Sequence, residues 1–240
     1  MPSGAVFNLS SLNGTNGFRI DGMAPEDQSG FSVAPAGDIN GDGLDDLIVG
    51  ALNADPGGRD SAGSSYVVFG RIGGVPARLD LSSLDGINGF RIDGAAARDF
   101  SGTSVASAGD INGDGFADLI VGASNADPGG RNDAGSTYVI FGRASGWPAS
   151  FALSNLDGAN GFRVDGISAD DLSGSKVSSA GDINGDGFDD IIIGARQADP
   201  NGQSSAGSSF VLFGRGTGWT STLALSSLNG SNGFRIDGVT

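Results

Sequence analysis

Cysteine and histidine are both absent from this chain of 240 residues, and each absence excludes a class of chemistry. Without cysteine there is no disulfide, no thiol nucleophile and no thiolate metal site, so nothing about the redox compartment follows from the sequence. Without histidine the commonest general base and the imidazole metal ligand are missing. Glu26 is the single glutamate and Lys176 the single lysine, which leaves aspartate to carry the acidic chemistry.

Basic residues and long apolar runs are also scarce. Lysine and arginine together number 13 against 28 acidic residues, which gives a formal charge of -15. Because a nucleic-acid binder must neutralise phosphates with basic side chains, this charge argues against nucleic acid as a partner. No segment approaches about 18 consecutive apolar residues, so no membrane span is predicted. Met1-Pro2-Ser3-Gly4 is not a charged region ahead of an apolar stretch, so no signal peptide is predicted either.

Glycine is abundant, with 44 residues, yet 38% of the chain is hydrophobic. Disordered and low-complexity chains are poor in apolar residues, so the combination indicates a packed, turn-rich β protein.

The sequence repeats itself every 72 residues. Asn-Gly-Phe-Arg-(Ile/Val)-Asp-Gly recurs with its phenylalanine at Phe18, Phe90, Phe162 and Phe234. Since 3 × 72 + 24 = 240, the chain holds three full units and a third of another. Such a period is typical of architectures in which one unit cannot bury its own apolar face. The predicted division is an edge-strand segment at 1–24, equivalent to 217–240, and three units at 25–96, 97–168 and 169–240.

One acidic loop in each unit has the pattern of a hard-cation site. In the first unit, side-chain oxygens fall at loop positions 1, 3, 5 and 9, which are Asp38, Asn40, Asp42 and Asp46. Gly43 permits a sharp turn that would add the backbone carbonyl of Leu44 at position 7. With a water, this set gives about six or seven oxygens, which suits Ca²⁺ better than the smaller, octahedral Mg²⁺.

The second and third units keep every one of these positions. The predicted ligands are Asp110, Asn112, Asp114, the carbonyl of Phe116 and Asp118 in the second unit, and Asp182, Asn184, Asp186, the carbonyl of Phe188 and Asp190 in the third. Position 8 varies between Asp45, Ala117 and Asp189, so it is not predicted to be a ligand. Asp-Asn-Gly clusters are also ordinary turn formers, but three copies with every oxygen kept favour three Ca²⁺ ions, one per repeat.

An EF-hand does not fit this loop. Val49 stands at position 12, where an EF-hand needs a bidentate glutamate, and an apolar strand-like run follows where a helix is required.

Four strands are predicted in each unit. They are a half-buried edge strand (Phe18–Asp21 in the first copy), a small-residue strand (31–34), a continuous apolar strand after the acidic loop (47–49) and an aromatic, β-branched strand (66–69). A longer connection without a predicted strand leads to the next edge strand. Trp147 and Trp219 lie in that connection and are predicted to cover the apolar edge of a neighbouring sheet. No helix of useful length is predicted.

Aspartates also recur between the third and fourth strands of this list, in Asp55-Pro56-Gly57-Gly58 and its copies at 127–130 and 199–202. Asn201 replaces glycine at the third position, which indicates a turn that needs positive φ. Turn formation is therefore favoured over a second ligand set.

Tandem units of four antiparallel strands, covered on both faces, predict an all-β fold, a β-propeller of three four-stranded blades with an extra edge strand. The chain resembles the FG-GAP repeats of integrin α-subunit propellers and their bacterial relatives. Ser-Val-Ala, Gly-Asp-Ile-Asn-Gly-Asp-Gly, Asp-Leu-Ile-Val-Gly-Ala and Tyr-Val-Val-Phe-Gly carry the resemblance. Departures occur at Ser29-Gly30 in place of Phe-Gly and at Leu52 in place of proline, with equivalent departures in the other units. They leave the predicted ligands intact.

The resemblance implies Ca²⁺ in the matching loops and an extracellular or cell-surface location for the parent protein. Integrin-type ligand binding depends on a whole ring and a partner subunit, and it is not carried over. Three blades are too few for a familiar closed ring of four to eight. The chain is therefore expected to be a fragment of a larger propeller, an engineered chain, or a homo-oligomer, with a dimer that forms a six-bladed ring favoured.

The leading functional hypothesis is a non-enzymatic, calcium-stabilised propeller segment for adhesion or protein interaction, with a protein or glycan ligand. One alternative is a carbohydrate-binding module that uses calcium or the tryptophans. Another is a carboxylate-dependent glycosidase or lyase. Catalysis is disfavoured because every conspicuous aspartate repeats with the unit, whereas an active site usually needs one unsymmetrical group of residues.

Overall fold

The computed structural model describes residues 8–73 and 75–239, and it is built from short strands and tight turns. Residues 1–7 of the predicted segment 1–24, and Thr240 of the third unit, lie outside the described residues. In chain order, the strands up to the end of the first blade are β1 (Arg19–Asp21), β2 (Ser32–Gly37), β3 (Asp46–Ala51), β4 (Ser64–Val68), β5 (Arg78–Asp80) and β6 (Gly89–Asp93).

The next two units repeat this order. The second contributes β7 (Ser101–Gly109), β8 (Asp118–Ala123), β9 (Ser136–Ile140), β10 (Ser150–Ala152) and β11 (Gly161–Asp165). The third contributes β12 (Ser173–Gly181), β13 (Asp190–Ala195), β14 (Ser208–Leu212), β15 (Thr222–Ala224) and β16 (Gly233–Asp237). The described helices are three-residue 3-10 turns, at Leu9–Ser11, Pro56–Gly58, Leu81–Ser83, Pro128–Gly130, Leu153–Asn155, Pro200–Gly202 and Leu225–Ser227. No helix among the described residues is long and apolar enough to cross a membrane.

Three antiparallel sheets form three blades, as the sequence predicted. Blade 1 runs in the order β2-β3-β4-β6, blade 2 in the order β7-β8-β9-β11 and blade 3 in the order β12-β13-β14-β16. The four predicted strands of each unit are confirmed with shifted bounds: β1 is one residue shorter than predicted, β2 begins one residue later and β4 ends one residue earlier. Along β8 the residues Leu119, Ile120 and Val121 are all buried, which agrees with a strand covered on both faces.

A fifth strand, which the sequence analysis missed, joins each of the first two blades to the following unit. β10 pairs in parallel with β6, and β15 pairs in parallel with β11. β5 pairs in the same way with β1, in the register Arg19↔Arg78, Ile20↔Leu79 and Asp21↔Asp80. These strands are three residues long and were taken for a plain connection, because so short a segment carries too few residues to show an alternating pattern.

Neighbouring blades approach each other at backbone distance. A Cβ placed on Gly50 of β3 would lie 2.2 Å from the carbonyl oxygen of Gly102 on β7, and one on Gly122 would lie 2.0 Å from that of Gly174. The backbone N–H of Val105 donates to Ser32 Oγ at 3.1 Å, and that of Val177 donates to Ser104 Oγ at 3.1 Å. Side chains larger than glycine or serine would hold the blades apart, which explains the small residues on the inner strands.

Trp147 packs the second unit against the first blade. Its ring stacks on Phe90 of β6, with centroids 4.2 Å apart and an interplanar angle of 11°. The guanidinium carbon of Arg143 lies 4.3 Å from the ring centroid, and the indole Nε1–H donates to the Arg143 carbonyl at 3.1 Å. Trp219 repeats the arrangement on Phe162 at 4.2 Å. The predicted role of both tryptophans as covers for a neighbouring sheet is confirmed.

We expect Trp147→Ala to lower the free energy of unfolding by about 3 to 4 kcal/mol, because it opens a cavity between two blades. Urea unfolding followed by circular dichroism measures the loss. Ile72→Ala is the control, since Ile72 is an apolar side chain on the equivalent connection of the first unit and is 93% exposed. Equal losses in the two variants would contradict the role assigned to Trp147.

Candidate metal centres

The predicted cation loops connect the first two strands of each blade. In blade 1 the loop begins at Asp38, directly after β2, and ends at Asp46, the first residue of β3. Gly41 and Gly43 have φ of 72° and 86°, a region that other residues rarely adopt. The two glycines therefore let the loop coil tightly, so that alternate side chains turn inward.

Three of the predicted ligands in this loop converge on one short stretch of backbone. The N–H of Asp42 donates to Asp38 Oδ1 at 3.0 Å and to Asn40 Oδ1 at 2.9 Å, and the N–H of Gly43 donates to Asp38 Oδ2 at 2.9 Å. Asp42 Oδ1 accepts from the N–H of Leu44 at 2.9 Å. The side chains at positions 1, 3 and 5 are thus brought together by the coil of the loop.

The other two loops have the same hydrogen bonds. The N–H of Asp114 donates to Asp110 Oδ1 at 3.0 Å and to Asn112 Oδ1 at 2.8 Å. The N–H of Asp186 donates to Asp182 Oδ1 at 3.1 Å and to Asn184 Oδ1 at 2.9 Å. Phe116 and Phe188 donate their N–H groups to the position-5 aspartates, each at 3.0 Å. The geometry is therefore a property of the repeat.

The carboxylate at position 9 lies beneath the loop. Asp46, Asp118 and Asp190 are fully buried, with 0% exposure. Asp46 Oδ2 accepts from the N–H of Ile39 at 3.1 Å, and Oδ1 accepts from the N–H of Gly70, just beyond β4, at 2.7 Å. This aspartate therefore ties the loop to the third strand of its blade.

Burial raises the pKa of Asp46 to about 6 and that of Asp118 to about 8, and it also raises the pKa of Asp190. The N–H donors oppose the shift, while the charges at positions 5 and 1 of the same loop add to it. For Asp46 and Asp118 the neighbouring charges that contribute are all acidic. A cation would reverse this effect, because it favours the ionised carboxylates.

The predicted ligands fit a hard cation by their chemistry. In the structure their carboxylate oxygens face backbone N–H groups, and no three acidic side chains within residues 8–73 and 75–239 surround a common point. Asp110 Oδ1 and Asp182 Oδ1 each accept two N–H groups. The position-9 carboxylate oxygens of Asp46 each accept one and keep a further lone pair, and the predicted ligands are all oxygens, as Ca²⁺ requires. The position-7 carbonyls stay a prediction.

Neighbouring loops are hydrogen-bonded to one another, which the sequence analysis did not foresee. The N–H of Ala117 donates to the carbonyl of Asp38 at 3.1 Å, and the N–H of Asp189 donates to the carbonyl of Asp110 at 3.2 Å. Asp189 Oδ2 accepts from the N–H of Asp110 at 2.8 Å. Position 8 therefore connects neighbouring loops, which is a role other than metal ligation.

The position-7 side chain also reaches the preceding loop. A Cβ on Gly41 would lie 2.4 Å from Phe116 Cε1, and one on Gly113 would lie 2.4 Å from Phe188 Cε1. Glycine at position 4 is therefore required by an aromatic ring from the next unit. The sequence signal for this contact was a glycine at position 4 of one loop together with an aromatic residue at position 7 of the following loop.

The second set of repeated aspartates forms turns, as predicted. Asp55 Oδ1 accepts from the N–H of Ser61 at 2.7 Å, Asp127 Oδ1 from that of Asp133 at 2.7 Å, and Asp199 Oδ1 from that of Ser205 at 2.6 Å. Asn201 has φ of 56°, close to the 63° of Gly57 and Gly129. The positive φ inferred from the glycine-to-asparagine exchange is confirmed.

A third set of repeated aspartates was missed by the sequence analysis. Asp27, Asp99 and Asp171 are 9%, 6% and 7% exposed, in the loops that lead into the inner strands. Burial raises the pKa of Asp99 to about 6; the Ala96 N–H opposes the shift, the charge of Asp127 adds to it and that of Arg163 opposes it. Their spacing of 72 residues was visible, but nothing in the sequence marked these aspartates as buried.

Comparison with known proteins agrees with the repeat architecture. The FG-GAP repeat family matches residues 29–68, 101–140 and 173–212. Integrin alpha-PS2 of Drosophila melanogaster is 30% identical over 198 residues, covering 80% of this chain and 13% of that protein. Integrin alpha-4 of Xenopus laevis is 32% identical over 194 residues, covering 81% and 17%.

An enzyme is also among the relatives. Phosphatidylinositol-glycan-specific phospholipase D of Mus musculus is 30% identical over 176 residues, covering 73% of this chain and 19% of that protein. The chain thus spans less than a fifth of the length of each of these three relatives.

We expect Asp99→Asn to remove one component of the pH dependence of stability. The folded-state pKa of Asp99, about 6, lies above the unfolded value of about 3.9. The folded chain therefore holds this proton more tightly, and its contribution to stability is present below pH 4 and lost as the pH rises to about 6. The variant should match the parent near pH 4 and exceed its free energy of unfolding by about 3 kcal/mol at pH 7, since one pKa unit corresponds to about 1.4 kcal/mol.

Urea unfolding between pH 4 and 7 at constant saturating calcium measures the difference. Asp60→Asn is the control, because Asp60 is exposed and its ion pair with Arg98 is exposed as well. Parallel pH profiles for the parent and Asp99→Asn would contradict the assignment.

Proposed function

Since the chain belongs to the FG-GAP repeat family, we propose that it is a non-enzymatic propeller segment for adhesion or protein interaction, stabilised by one Ca²⁺ in each blade. One observation carries the calcium part of the proposal. In all three blades a carboxylate with 0% exposure lies beneath a loop whose other acidic side chains converge on the same coil. Acidic charges held this close favour a bound cation that offsets them.

Calcium binding at these loops would act on folding. A ligand at 100 times its dissociation constant stabilises the native state by about 2.7 kcal/mol, so three independent sites would contribute roughly 8 kcal/mol. The total stability of a domain is typically about 5 to 15 kcal/mol. Calcium therefore decides how much of the chain is folded, which suits a protein of calcium-rich extracellular or cell-surface surroundings.

The integrin relatives support adhesion or protein interaction as the role. The loops that enter the inner strands and those that join β3 to β4 lie at the opposite edge of each blade from the cation loops. This leaves that edge available for a protein or glycan ligand while calcium holds the blades.

The carbohydrate-binding alternative gains no support from the tryptophans. Phe90 covers one face of Trp147 and Arg143 covers the other, and the side chain is 8% exposed. A sugar needs a free aromatic face for stacking. Binding to a glycan array that Trp147→Ala abolishes without loss of fold would revive this alternative.

Catalysis gains no support from the acidic residues either, although one relative is named as a phospholipase. The buried carboxylates Asp46, Asp118 and Asp190 occur once in each blade, as do Asp27, Asp99 and Asp171. This symmetry suits a repeated structural role. Turnover of any member of a panel of polysaccharides and glycosylated lipids would overturn the non-enzymatic proposal.

We expect Asp114→Asn to weaken calcium binding in the central blade. Asparagine keeps an oxygen that accepts the N–H of Phe116, so the turn survives while one negative charge is lost. The variant should lose about 2 to 3 kcal/mol of stability in millimolar Ca²⁺, and less than 1 kcal/mol in excess chelator. Isothermal titration calorimetry should show the loss of one site in three.

Asp127→Asn is the matched control, because Asp127 is also exposed and also accepts one backbone N–H. It should leave the calcium stoichiometry unchanged. Equal losses for Asp114→Asn with and without calcium, or no heat of binding in the parent chain, would refute the calcium proposal.

A further inference from the structure

Two exposed apolar surfaces lie at the two ends of the row of blades. The front face belongs to blade 1 and includes Phe31, Val33 and Leu47, which are 55%, 66% and 38% exposed. In blade 2, blade 1 covers the equivalent surface, so that Val105 is 4% and Leu119 is 0% exposed. The front face is therefore a surface that a preceding blade is shaped to bury.

The back face belongs to blade 3 and includes Ile183 and Ile236, each 50% exposed. Ile39 and Ile111, the equivalents of Ile183, are 0% exposed because the next blade covers them. The back face therefore has the shape of a surface that a following blade buries.

A hollow on the back face matches a segment on the front face. The hollow is lined by Gly194, Ala206 and Gly207. Their equivalents in blade 1 hold Ser101-Gly102 of blade 2: the Ser101 N–H donates to the Ala62 carbonyl at 3.0 Å, and Gly102 lies against Gly50.

The matching segment of blade 1 is Ser29-Gly30, 72 residues before Ser101-Gly102. No atom of the described part of the chain lies within 4 Å of a Cβ built on Gly30. β2 also begins only at Ser32, whereas β7 and β12 begin at Ser101 and Ser173 against the preceding blade. Ser29-Gly30 thus lacks the contacts that its equivalents have.

We propose that the front face of one copy of this chain docks on the back face of a second copy, head to tail, and that two copies close a six-bladed ring. The contact reproduces the packing of blade 1 on blade 2 and of blade 2 on blade 3. Two copies fit the usual range of about four to eight blades, whereas three copies would give nine. A head-to-tail contact closes only when its rotation completes a circle.

Ring closure requires an exchange of strands. Residues 8–21 of one copy are equivalent to residues 224–237 of the other, so both segments compete for the same place beside β14. The heptapeptides at 16–22 and 232–238 are identical, Asn-Gly-Phe-Arg-Ile-Asp-Gly. Among residues 8–73 and 75–239, β16 has no parallel neighbour, whereas β6 and β11 each have one, and β5 holds β1 in the place that β16 would take.

Of the two competing segments, the amino-terminal one is displaced. The 3-10 turn Leu9–Ser11 has no buried residue, and Leu9 is 74% exposed. In the competing segment Leu225 is 2% exposed, and Phe234 packs on Phe213 with ring centroids 5.9 Å apart. In the ring, β16 of one copy therefore replaces β1 beside β5 of the next. Arg78, which pairs with Asp21 in the single chain, then pairs with Asp237 of the second copy.

Complementary variants test the head-to-tail contact. Light scattering after gel filtration should give the parent chain twice the mass of one 23.8 kDa chain. Val33→Asp and Ile236→Asp should each be monomeric, and an equimolar mixture should regain a two-chain species, since each variant keeps the face that the other has lost. Both positions are exposed in the single chain, so circular dichroism should show an unchanged fold.

Any other pattern contradicts the proposal. A monomeric parent at every accessible concentration, a mixture that stays monomeric, or a dimer abolished by only one variant would each exclude a head-to-tail ring. The variants leave the predicted cation loops unchanged and are compared with the parent chain in one buffer, so the outcome does not depend on whether calcium binds.

Engineered disulfides test the strand exchange. Because the chain has no native cysteine, only the introduced cysteines can form a disulfide. Arg78 pairs in register with Arg19 and is predicted to pair with Arg235 of the second copy. Oxidised Arg19→Cys/Arg78→Cys should form a bond within one chain, hold β1 in place and stay monomeric until reduced. Oxidised Arg78→Cys/Arg235→Cys should form covalent dimers, because directly paired strands meet the distance that a disulfide needs.

The opposite results would overturn the exchange. A locked Arg19→Cys/Arg78→Cys chain that still dimerises would show that β1 need not leave. An Arg78→Cys/Arg235→Cys chain that forms no covalent dimer would show that β16 does not reach β5.

Lys176 supplies a variant that should strengthen the contact. Ser32 and Ser104 accept the N–H of a valine in the next blade, but the third unit has Lys176 at this position, and an ammonium group cannot accept. Lys176→Ser should provide an acceptor for Val33 of the second copy and tighten the dimer about fivefold. Weaker association of this variant would contradict the proposed register.

Discussion

Each blade in this protein buries an apolar face against a neighbouring blade, and the rest of the structure depends on that constraint. In the central blade, Leu119 and Ile120 of β8 are both fully buried because a blade lies on each side, so no single sheet of four strands has a core of its own. The glycines at 50 and 122 allow neighbouring backbones to meet, and the tryptophans at 147 and 219 stack across the outer strands. The stability of each unit therefore depends on its contacts with neighbouring units, as in other repeat proteins.

Burial of carboxylates in the acidic loops lowers the stability of the folded chain. Asp46 and its equivalents are buried beneath other carboxylates, and ionised groups in that position repel one another in a medium that screens poorly. Backbone N–H groups compensate part of the cost, and a divalent cation would compensate the rest. Since position 8 of one loop bonds to position 1 of its neighbour, the ordering of one loop extends to the next. The cation loops and the blade contacts therefore stabilise the same interfaces.

The repeat, the four strands of each blade and the positions of the loops were predictable because each depends on local sequence. Apolar runs such as Leu119-Ile120-Val121, and glycines at fixed offsets, mark strands and turns wherever they occur. The three-residue strands at 78–80, 150–152 and 222–224 were not predictable, since they form only where an outer strand of the preceding blade offers a parallel edge. The burial of Asp99, and the contact of Phe116 with Gly41, likewise arise between segments far apart in the chain.

The sequence by itself determined the 72-residue period, the all-β architecture and the positions of the three acidic loops, because periodicity and turn residues depend on local sequence. Tertiary structure alone decided which surfaces are covered. Val33 and Val105 occupy the same position in their units and differ from 66% to 4% in exposure, since only the second has a blade in front of it. Burial is a property of neighbours in space, and identical repeats acquire different neighbours according to their place in the row.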